Sequence, residues 1–241
     1  MAIHVERRDA VRLLTIDRQE RRNAVDAAAL EELASAVADA EDARALVLTG
    51  AGGHFCAGAD LTGLEDEGFA SHLRQVLEAL RSAPLPTIAA VEGAALGAGT
   101  QLAIACDLRV AVPTAVFGIP AAKLGLMVDH WTVRRLATVA GHGPARAMLL
   151  AAETLSGEDA HRLGLVQRLG DPQAALAWAS EIAALAPLTI AGHKVSLNAL
   201  EEQDDGGPEV AAAFTRAWSS TDLAEGRAAF AERRPPRFTG T

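Results

Sequence analysis

The stretch that decides the fold is Pro86–Leu102, which reads PTIAAVEGAALGAGTQL. Its first part, Thr87–Val91, is a short run behind a proline and is typical of a buried strand in a parallel sheet. Its second part passes through small residues into a predicted buried helix that ends near Cys106. A strand followed closely by a buried helix predicts an α/β fold.

The small residues at the start of this helix also suit a ligand. The first turn of a helix presents N–H groups without intrahelical partners and carries a partial positive charge, which favours a polarised carbonyl oxygen or an enolate. Gly97–Leu102 begins like a dinucleotide-binding fingerprint but lacks its third glycine, so a Rossmann nucleotide site is a poor explanation. Close packing of the helix would require the same small residues, and this alternative stays open.

On either side of this stretch the chain alternates between short strands and amphipathic helices. Strands are predicted at His4–Arg8, Val11–Asp17, Ala45–Thr49 and Leu108–Val112. Helices are predicted after Asp26, which is placed to cap its helix, along Leu73–Leu80, and repeatedly beyond Trp131. We expect residues 1–185 to form the core and residues 186–241 to form a C-terminal helical region with a basic tail, as parts of one functional unit.

Composition excludes several classes of function. The 241 residues carry a formal net charge of -9 without a block of like charges, which argues against nucleic acid as the main partner. No apolar stretch approaches the length of a membrane span, and no basic start followed by an apolar run marks a signal peptide. Two cysteines, Cys56 and Cys106, are too few for a disulfide framework. We therefore expect a compact cytoplasmic protein, and the spacing of the histidines predicts no metal site.

A second group of small residues follows the predicted strand Ala45–Thr49. The loop Ala51–Leu61 reads AGGHFCAGADL, and its small residues allow a ligand to approach the backbone closely. The N–H group of Ala59 is then a candidate donor to a bound oxygen. A tight strand-to-helix connection without a ligand is the simpler explanation of this loop alone. Cys56 has no activating base nearby in the sequence and is interpreted as a small buried side chain.

Five segments of the chain occur in a characteristic order: Arg21–Val25, Phe55–Leu61, Pro86–Leu96, Ala105–Leu108 and Leu163–Val166. Together they resemble the crotonase (enoyl-CoA hydratase/isomerase) superfamily, and they cover most of the chain. The resemblance implies a crotonase-type spiral of ββα units with a C-terminal helical trimerisation region, assembled as a homotrimer or a dimer of trimers. It also implies a CoA thioester, with no other cofactor, whose oxygen is held in an oxyanion hole by the backbone amides of Ala59 and Ala98.

The same resemblance implies where the CoA moiety would lie. The loop after Cys56 would line the adenine and pantetheine parts through Ala57, Asp60, Leu61 and Thr62. Arg22 would lie near the phosphates, where a charged contact is favourable. The basic tail, Arg233–Arg237, is either a further source of phosphate contacts, from its own or a neighbouring subunit, or a solvated C-terminus.

Hydratases of the superfamily carry two glutamates that position water and pass its proton to the substrate. The resemblance aligns these positions with Gln101 and Ala121. Neither side chain is a carboxylate base, and a well-placed acid or base contributes about 10²- to 10⁴-fold in rate. We therefore expect little or no hydration, whereas Gln101 can still hydrogen-bond a water or a thioester.

Asp129 occupies a third position, at which isomerases of the superfamily place an acid. A carboxylate near a thioester enolate can move a proton between carbons if burial raises its pKa toward neutrality. Asp129 also closely precedes the helical stretch Trp131–Ala140, and aspartate is a favoured N-cap residue. The cap is the preferred interpretation, and a proton shuttle is the alternative.

Apolar and aromatic side chains near these positions are candidates for the walls of an acyl pocket. They are Phe69, Leu73, Leu126, His130 and Trp131. Packing in the hydrophobic core is the alternative for residues of this kind.

Within the superfamily, the chain resembles one group of proteins more closely. Gln101, Leu124–Arg135 and Gly141–Leu150 are similar to a catalytically degenerate, acyl-CoA-binding enoyl-CoA hydratase paralogue of mycolic acid synthesis. We therefore expect an acyl-CoA-binding protein of fatty-acid and long-chain lipid metabolism without hydratase activity, with a fatty-acid synthase component as a candidate partner. The alternative is an enzyme, either an isomerase or a weak hydratase, that uses Asp129 as acid and base.

Overall fold

The computed structural model describes residues 1–60, 68–201 and 207–241. The strands are β1 Ile3–Arg8, β2 Val11–Ile16, β3 Ala45–Gly50, β4 Thr87–Val91, β5 Ala94–Leu96, β6 Leu108–Ala111, β7 Val116–Gly118, β8 Thr154–Ser156 and β9 Arg168–Leu169. The helices are α1 Ala27–Ala38, α2 Gly68–Ser82, α3 Ala98–Ala105, α4 His130–Ala140, α5 His142–Leu150, α6 Gly157–Arg162, α7 Pro172–Ala183, α8 Pro187–Glu201, α9 Gly207–Trp218 and α10 Thr221–Glu232. Leu61 and Thr62, two of the predicted CoA contacts, lie outside the described residues.

The larger sheet has the strand order β1-β2-β3-β4-β6-β9. β1 and β2, both predicted as strands, form an antiparallel hairpin, and the other neighbours are parallel. β3 and β4 lie at the centre and are buried along their whole length, as their sequences predict. Leu46 and Leu48 belong to the core that includes α1 and α2, whereas Val47 packs with α7 on the other face. Helices therefore cover both faces of this sheet.

The smaller sheet, ordered β5-β7-β8, is a feature that the sequence did not predict. The sequence predicts Ala94–Leu96 as the start of a helix, because a segment of three residues carries too little periodicity to indicate a strand. In the structure this segment is β5, which pairs in parallel with β7. Cys56 forms a parallel bridge with Ala95, so β5 brings the loop after β3 against the start of α3.

Side-chain N-caps mark the starts of four described helices, α1, α4, α6 and α7. Asp26 accepts a hydrogen bond from Ala29 N at 2.9 Å and begins α1, which confirms the prediction. The sequence did not predict α10, whose alanines and Gly226 give no clear apolar stripe. Among the described helices none is by itself long and apolar enough to cross a membrane, although α7 and α8, bent by 110° at their junction, pass that criterion together by length and composition.

Two buried ion pairs connect α8 to the core. Lys194 is 7% exposed, and its Nζ lies 2.8 Å from Asp107 Oδ2. The same Nζ donates to two carbonyl oxygens within residues 80–85, ahead of β4. Arg135 of α4 is also buried and pairs with Glu201 at the end of α8. The first C-terminal helix is therefore fixed to the strands and helices that position the site described below.

Candidate functional site

A cavity of about 940 Å³ lies between α2, the start of α3, the turn after β7 and the start of α4. Its wall is mostly apolar, and the charged or strongly polar side chains among its described lining residues are Arg74, Gln101, Asp129 and His130. Four of the predicted pocket residues line it, namely Phe69, Leu73, Leu126 and His130. The cavity is large enough and apolar enough for a small-molecule ligand with an extended hydrocarbon part.

Two peptide groups at the cavity are oriented by hydrogen bonds to their carbonyl ends. The carbonyl that precedes Ala59 accepts from Val25 N at 2.9 Å, so the N–H of Ala59, in the same trans peptide, points the opposite way. The carbonyl that precedes Ala98 accepts from Gln101 N at 3.0 Å, so the N–H of Ala98 projects from the start of α3. Both alanines line the cavity, and within the described residues neither amide has a hydrogen-bond acceptor.

The segments that carry these amides lie against each other because their residues are small. Cys56 N donates to Ala94 O at 2.8 Å, and Leu96 N donates to Cys56 O at 3.0 Å, so the segments run side by side. Gly97 has φ +52°, which side chains rarely tolerate, and turns the chain into α3. At Gly99 a Cβ atom would lie 2.1 Å from Cys56 O. The small residues therefore serve both close packing and exposure of the amides.

Gln101 and Ala121, at which the resemblance places two glutamates, both line the cavity. Gln101 is 7% exposed, and its Oε1 accepts a hydrogen bond from the Thr132 hydroxyl at 2.9 Å. Ala121 lies in the 3-10 turn Pro120–Leu124 and presents only a methyl group. Among the described lining residues, Asp129 is therefore the one carboxylate.

The Asp129 carboxylate is held at the cavity wall by two partners. It accepts from Thr132 N at 3.1 Å as the N-cap of α4, which confirms the preferred interpretation, and it lies 2.7 Å from Arg74 Nη1 of α2. Burial raises the pKa of Asp129, but hydrogen bonding to Thr132 and the Arg74 charge outweigh burial and hold the pKa below its ordinary value. A paired, ionised carboxylate is a poor proton shuttle near neutral pH.

Replacing Asp129 is expected to affect stability in two separable ways. Asp129→Ala removes cap and ion pair and should lower the free energy of unfolding at pH 7 by about 1 kcal/mol, whereas Asp129→Asn keeps a favoured cap and should cost less than half as much. Because folding lowers the pKa, the charge-dependent part is present above the unfolded value of 3.8 and is lost as pH falls through the folded pKa. Urea unfolding at pH 7 and pH 3 measures both parts. Equal losses in the two variants at pH 7 would contradict the capping role.

The predicted CoA contacts near the cavity differ in their surroundings. Ala57 lines the cavity, and its N–H donates to the carbonyl oxygen of Arg22 at 3.0 Å, which places the exposed Arg22 beside this loop. Asp60 is buried, and its carboxylate lies 3.3 Å from Arg18 Nη2 and 2.9 Å from Arg21 Nη1. The side chain of Asp60 therefore anchors the loop to the segment before α1, a structural role that the sequence did not indicate.

Trp131 departs from the predicted site. Trp131 is buried in the hydrophobic core and does not line the cavity, so its assignment to the pocket wall is wrong. Successive residues of a helix point about 100° apart, so His130 faces the cavity while its neighbour turns inward.

In the basic tail, Arg234 lies 2.6 Å from Glu225, in a second cavity of about 640 Å³ that Arg237 also lines. Within one chain the tail thus faces α10.

Sequence reasoning missed Arg74 and Thr132. Arg74 comes directly after Leu73, which belongs to the apolar stripe of α2. Nothing in the sequence indicates that Arg74 pairs with a carboxylate 55 residues away. Thr132 could have been found, because the third residue after an N-cap is the one whose N–H the cap binds. Its hydroxyl contact with Gln101 depends on how α3 packs against α4.

The two cysteines are structural. Both are fully buried, and desolvation raises the pKa of Cys56 and of Cys106 to about 12. The thiol form therefore predominates at neutral pH, and the thiol is a weak nucleophile. This agrees with the interpretation of Cys56 as a small buried side chain in the cavity loop.

Residues 6–241 match the family model described as enoyl-CoA hydratase/isomerase. The chain belongs to this family. It is 45% identical over 244 residues to the Mycobacterium tuberculosis (strain CDC 1551 / Oshkosh) protein named "Probable enoyl-CoA hydratase echA6", with 99% of both chains covered. A Mycobacterium leprae (strain TN) protein of the same name is 42% identical over 251 residues, again with 99% of both covered.

Solved structures of the enoyl-CoA hydratase/isomerase family have the same fold. The enoyl-CoA hydratase from Mycobacterium tuberculosis H37Rv is 36% identical and superposes with a TM-score of 0.89, covering 100% of this chain and 99% of that one. The enoyl-CoA hydratase from Bacillus anthracis is 30% identical, with a TM-score of 0.92 and 100% of both chains covered. The predicted crotonase-type α/β fold is confirmed.

Proposed function

We propose that this family member binds acyl-CoA without hydrating it. The observation that carries the proposal is a cavity with two oriented backbone amides that have no acceptor within the described residues, and with glutamine and alanine at the two positions where a hydratase of the family needs a glutamate. The amides support binding of a thioester oxygen. The side chains at the glutamate positions support the absence of hydration.

Binding would begin at the thioester. Its carbonyl oxygen accepts hydrogen bonds from Ala59 N and Ala98 N, and the positive end of the α3 dipole stabilises the partial negative charge there. The acyl chain then lies along the apolar wall that includes Phe69, Leu73 and Leu126. The exposed Arg22, next to the cavity loop, is placed for the phosphates of CoA.

Hydration requires a base to activate water and an acid to protonate the α-carbon, and none of Gln101, Ala121 and Asp129 is suited to either role. Gln101 carries an amide that does not titrate, and Ala121 carries a methyl group. Asp129 is engaged by Thr132 and Arg74. Polarisation by the two amides does not by itself transfer these protons.

Calorimetric titration with a long-chain acyl-CoA, beside a hydration assay with crotonyl-CoA, tests this proposal. We expect saturable binding of acyl-CoA that is at least tenfold tighter than binding of free CoA, since the acyl chain and thioester supply contacts that CoA lacks. We expect hydration at least about 10²-fold slower than by a family hydratase with both glutamates, assayed in parallel. Hydration at the rate of that control would overturn the proposal.

Double-bond isomerisation is the second candidate, because Asp129 lines the cavity. Its lowered pKa and its ion pair with Arg74 weigh against this role. A β,γ-enoyl-CoA in the same assay separates the two functions. Turnover that Asp129→Asn abolishes would establish the isomerase and overturn the carrier.

We also propose that the protein acts in long-chain lipid metabolism, as expected from its resemblance to a paralogue of mycolic acid synthesis, with a fatty-acid synthase component as the receiving partner. This role rests on the resemblance at Gln101, Leu124–Arg135 and Gly141–Leu150. The proposed assembly is a homotrimer or a dimer of trimers. Large apolar side chains exposed on the C-terminal helices, including Leu197, Leu200 and Trp218, support burial of this region between subunits.

A further inference from the structure

The Gln101 amide nitrogen is a hydrogen-bond donor without a partner at the cavity wall. The side chain is 7% exposed, its Oε1 is taken by Thr132, and its Nε2 has no acceptor within the described residues. Among the described residues, every side-chain nitrogen or oxygen that is fully buried has a hydrogen-bond partner. Nε2 must therefore keep access to the cavity that Gln101 lines.

The orientation of this amide is fixed before any ligand arrives. The Thr132 hydroxyl donates to Oε1 at 2.9 Å, and Thr132 is fully buried in the first turn of α4. That turn is held in place by the Asp129 cap and by Arg74 of α2. A hydroxyl donor on one side of the amide leaves the NH₂ group for the other side, which is the cavity.

Gln101 lies one helical turn beyond Ala98 on α3. Residues three apart share a helix face and are separated by about 4.5 Å along the axis. An acyl thioester whose oxygen is bound at Ala98 N, and whose chain runs toward Gln101, brings the substituents near its third carbon toward Nε2. An oxygen acceptor at that carbon would complete the hydrogen bonding of the amide.

We propose that the preferred ligand is a 3-oxoacyl-CoA, and that Gln101 Nε2 donates to the oxygen on its third carbon. This assignment rests on the function proposed above and names the substrate class of the same cavity. A ligand with methylene at this carbon desolvates Nε2 without giving it an acceptor, and such a mismatch is penalised more than a missing apolar contact. The site thus selects its ligand through a donor where a hydratase would hold a base.

Calorimetry with three ligands of equal chain length tests the proposal on the full chain: butanoyl-CoA, 3-oxobutanoyl-CoA and 3-hydroxybutanoyl-CoA. We expect 3-oxobutanoyl-CoA to bind about tenfold more tightly than butanoyl-CoA. Gln101→Met removes the donor at similar volume and should bring the two affinities to within about twofold, without weakening butanoyl-CoA. Gln101→Met leaves the Thr132 hydroxyl without its acceptor. The double variant Gln101→Met/Thr132→Val removes this hydroxyl as well, and it should show the same loss of preference for 3-oxobutanoyl-CoA.

Gln173→Met, at an exposed position of α7, is the matched control and should retain the tenfold preference. Equal wild-type affinities for all three ligands would overturn the inference and leave acyl-CoA binding intact. A preference for 3-hydroxybutanoyl-CoA alone would mean that the amide presents its oxygen, and would also overturn it. Failure of all three ligands and of a long-chain acyl-CoA to bind would instead overturn the proposed function.

Discussion

Replacing Ala98 with proline is expected to weaken acyl-CoA binding by about 10- to 100-fold, the loss that follows from deleting one hydrogen bond to a polarised oxygen. Proline has no N–H, and its ring would occupy the space in which the thioester oxygen is proposed to lie. The fold should tolerate the change, because Ala98 is the first residue of α3 and proline is favoured there. Gly97, which precedes it, has no Cβ to clash with the ring.

Ala98→Ser is the matched control, because serine adds bulk but keeps the N–H. We expect this variant to stay within about threefold of the original affinity, since no hydrogen bond is lost. Thermal unfolding of both variants shows whether α3 still forms. Unchanged binding in folded Ala98→Pro would place the thioester oxygen elsewhere, and an equal loss in Ala98→Ser would assign the effect to crowding.

Replacing Lys194 with methionine is expected to lower the free energy of unfolding by about 3 kcal/mol, as is typical when one partner of a buried ion pair is removed. Lys194 Nζ lies 2.8 Å from Asp107 and donates to Leu80 O and Leu85 O. Methionine keeps the unbranched shape of the side chain, one atom shorter, but leaves both carbonyl oxygens without this donor. The Asp107 carboxylate still accepts hydrogen bonds from the N–H and the hydroxyl of Thr87, so it loses only part of its stabilisation.

Urea unfolding of Lys194→Met beside Lys123→Met measures this effect. Lys123 is the chain's other lysine and is exposed, so its replacement should cost less than about 0.5 kcal/mol. Lys194→Met with Asp107→Asn should recover part of the loss, because the leftover charge is removed. A loss below about 1 kcal/mol in Lys194→Met would mean that α8 is held by apolar packing instead.

Patterns within short segments were sufficient to predict five of the six strands of the larger sheet, all but β9, and several helices. β3 and β4 are recognisable in the sequence as short runs typical of buried strands. Asp26 marks the start of α1, because its carboxylate accepts a hydrogen bond from the first turn of the helix. The smaller sheet was not predicted, because β5 is only three residues long and owes its conformation to pairing with β7 and Cys56. Strand pairing between distant segments is not a local property of the chain.

The candidate site divides in the same way. Ala59, Ala98, Gln101 and Ala121 were assigned as a group by the family resemblance, and all four line one cavity. Side chains whose role depends on a distant partner could not be assigned from sequence. Asp60 is directed to Arg18 and Arg21 by tertiary packing, and the inward turn of Trp131 depends on where α4 begins.

The amides of Ala59 and Ala98 are main-chain groups, and this has an evolutionary consequence. Apart from proline, no amino-acid replacement deletes a backbone N–H, whereas one replacement each suffices to lose a carboxylate at positions 101 and 121. In a site built this way, random substitutions therefore remove catalytic activity more readily than they remove ligand affinity. An enzyme of this design that stops turning over its substrate becomes, by default, a receptor for it.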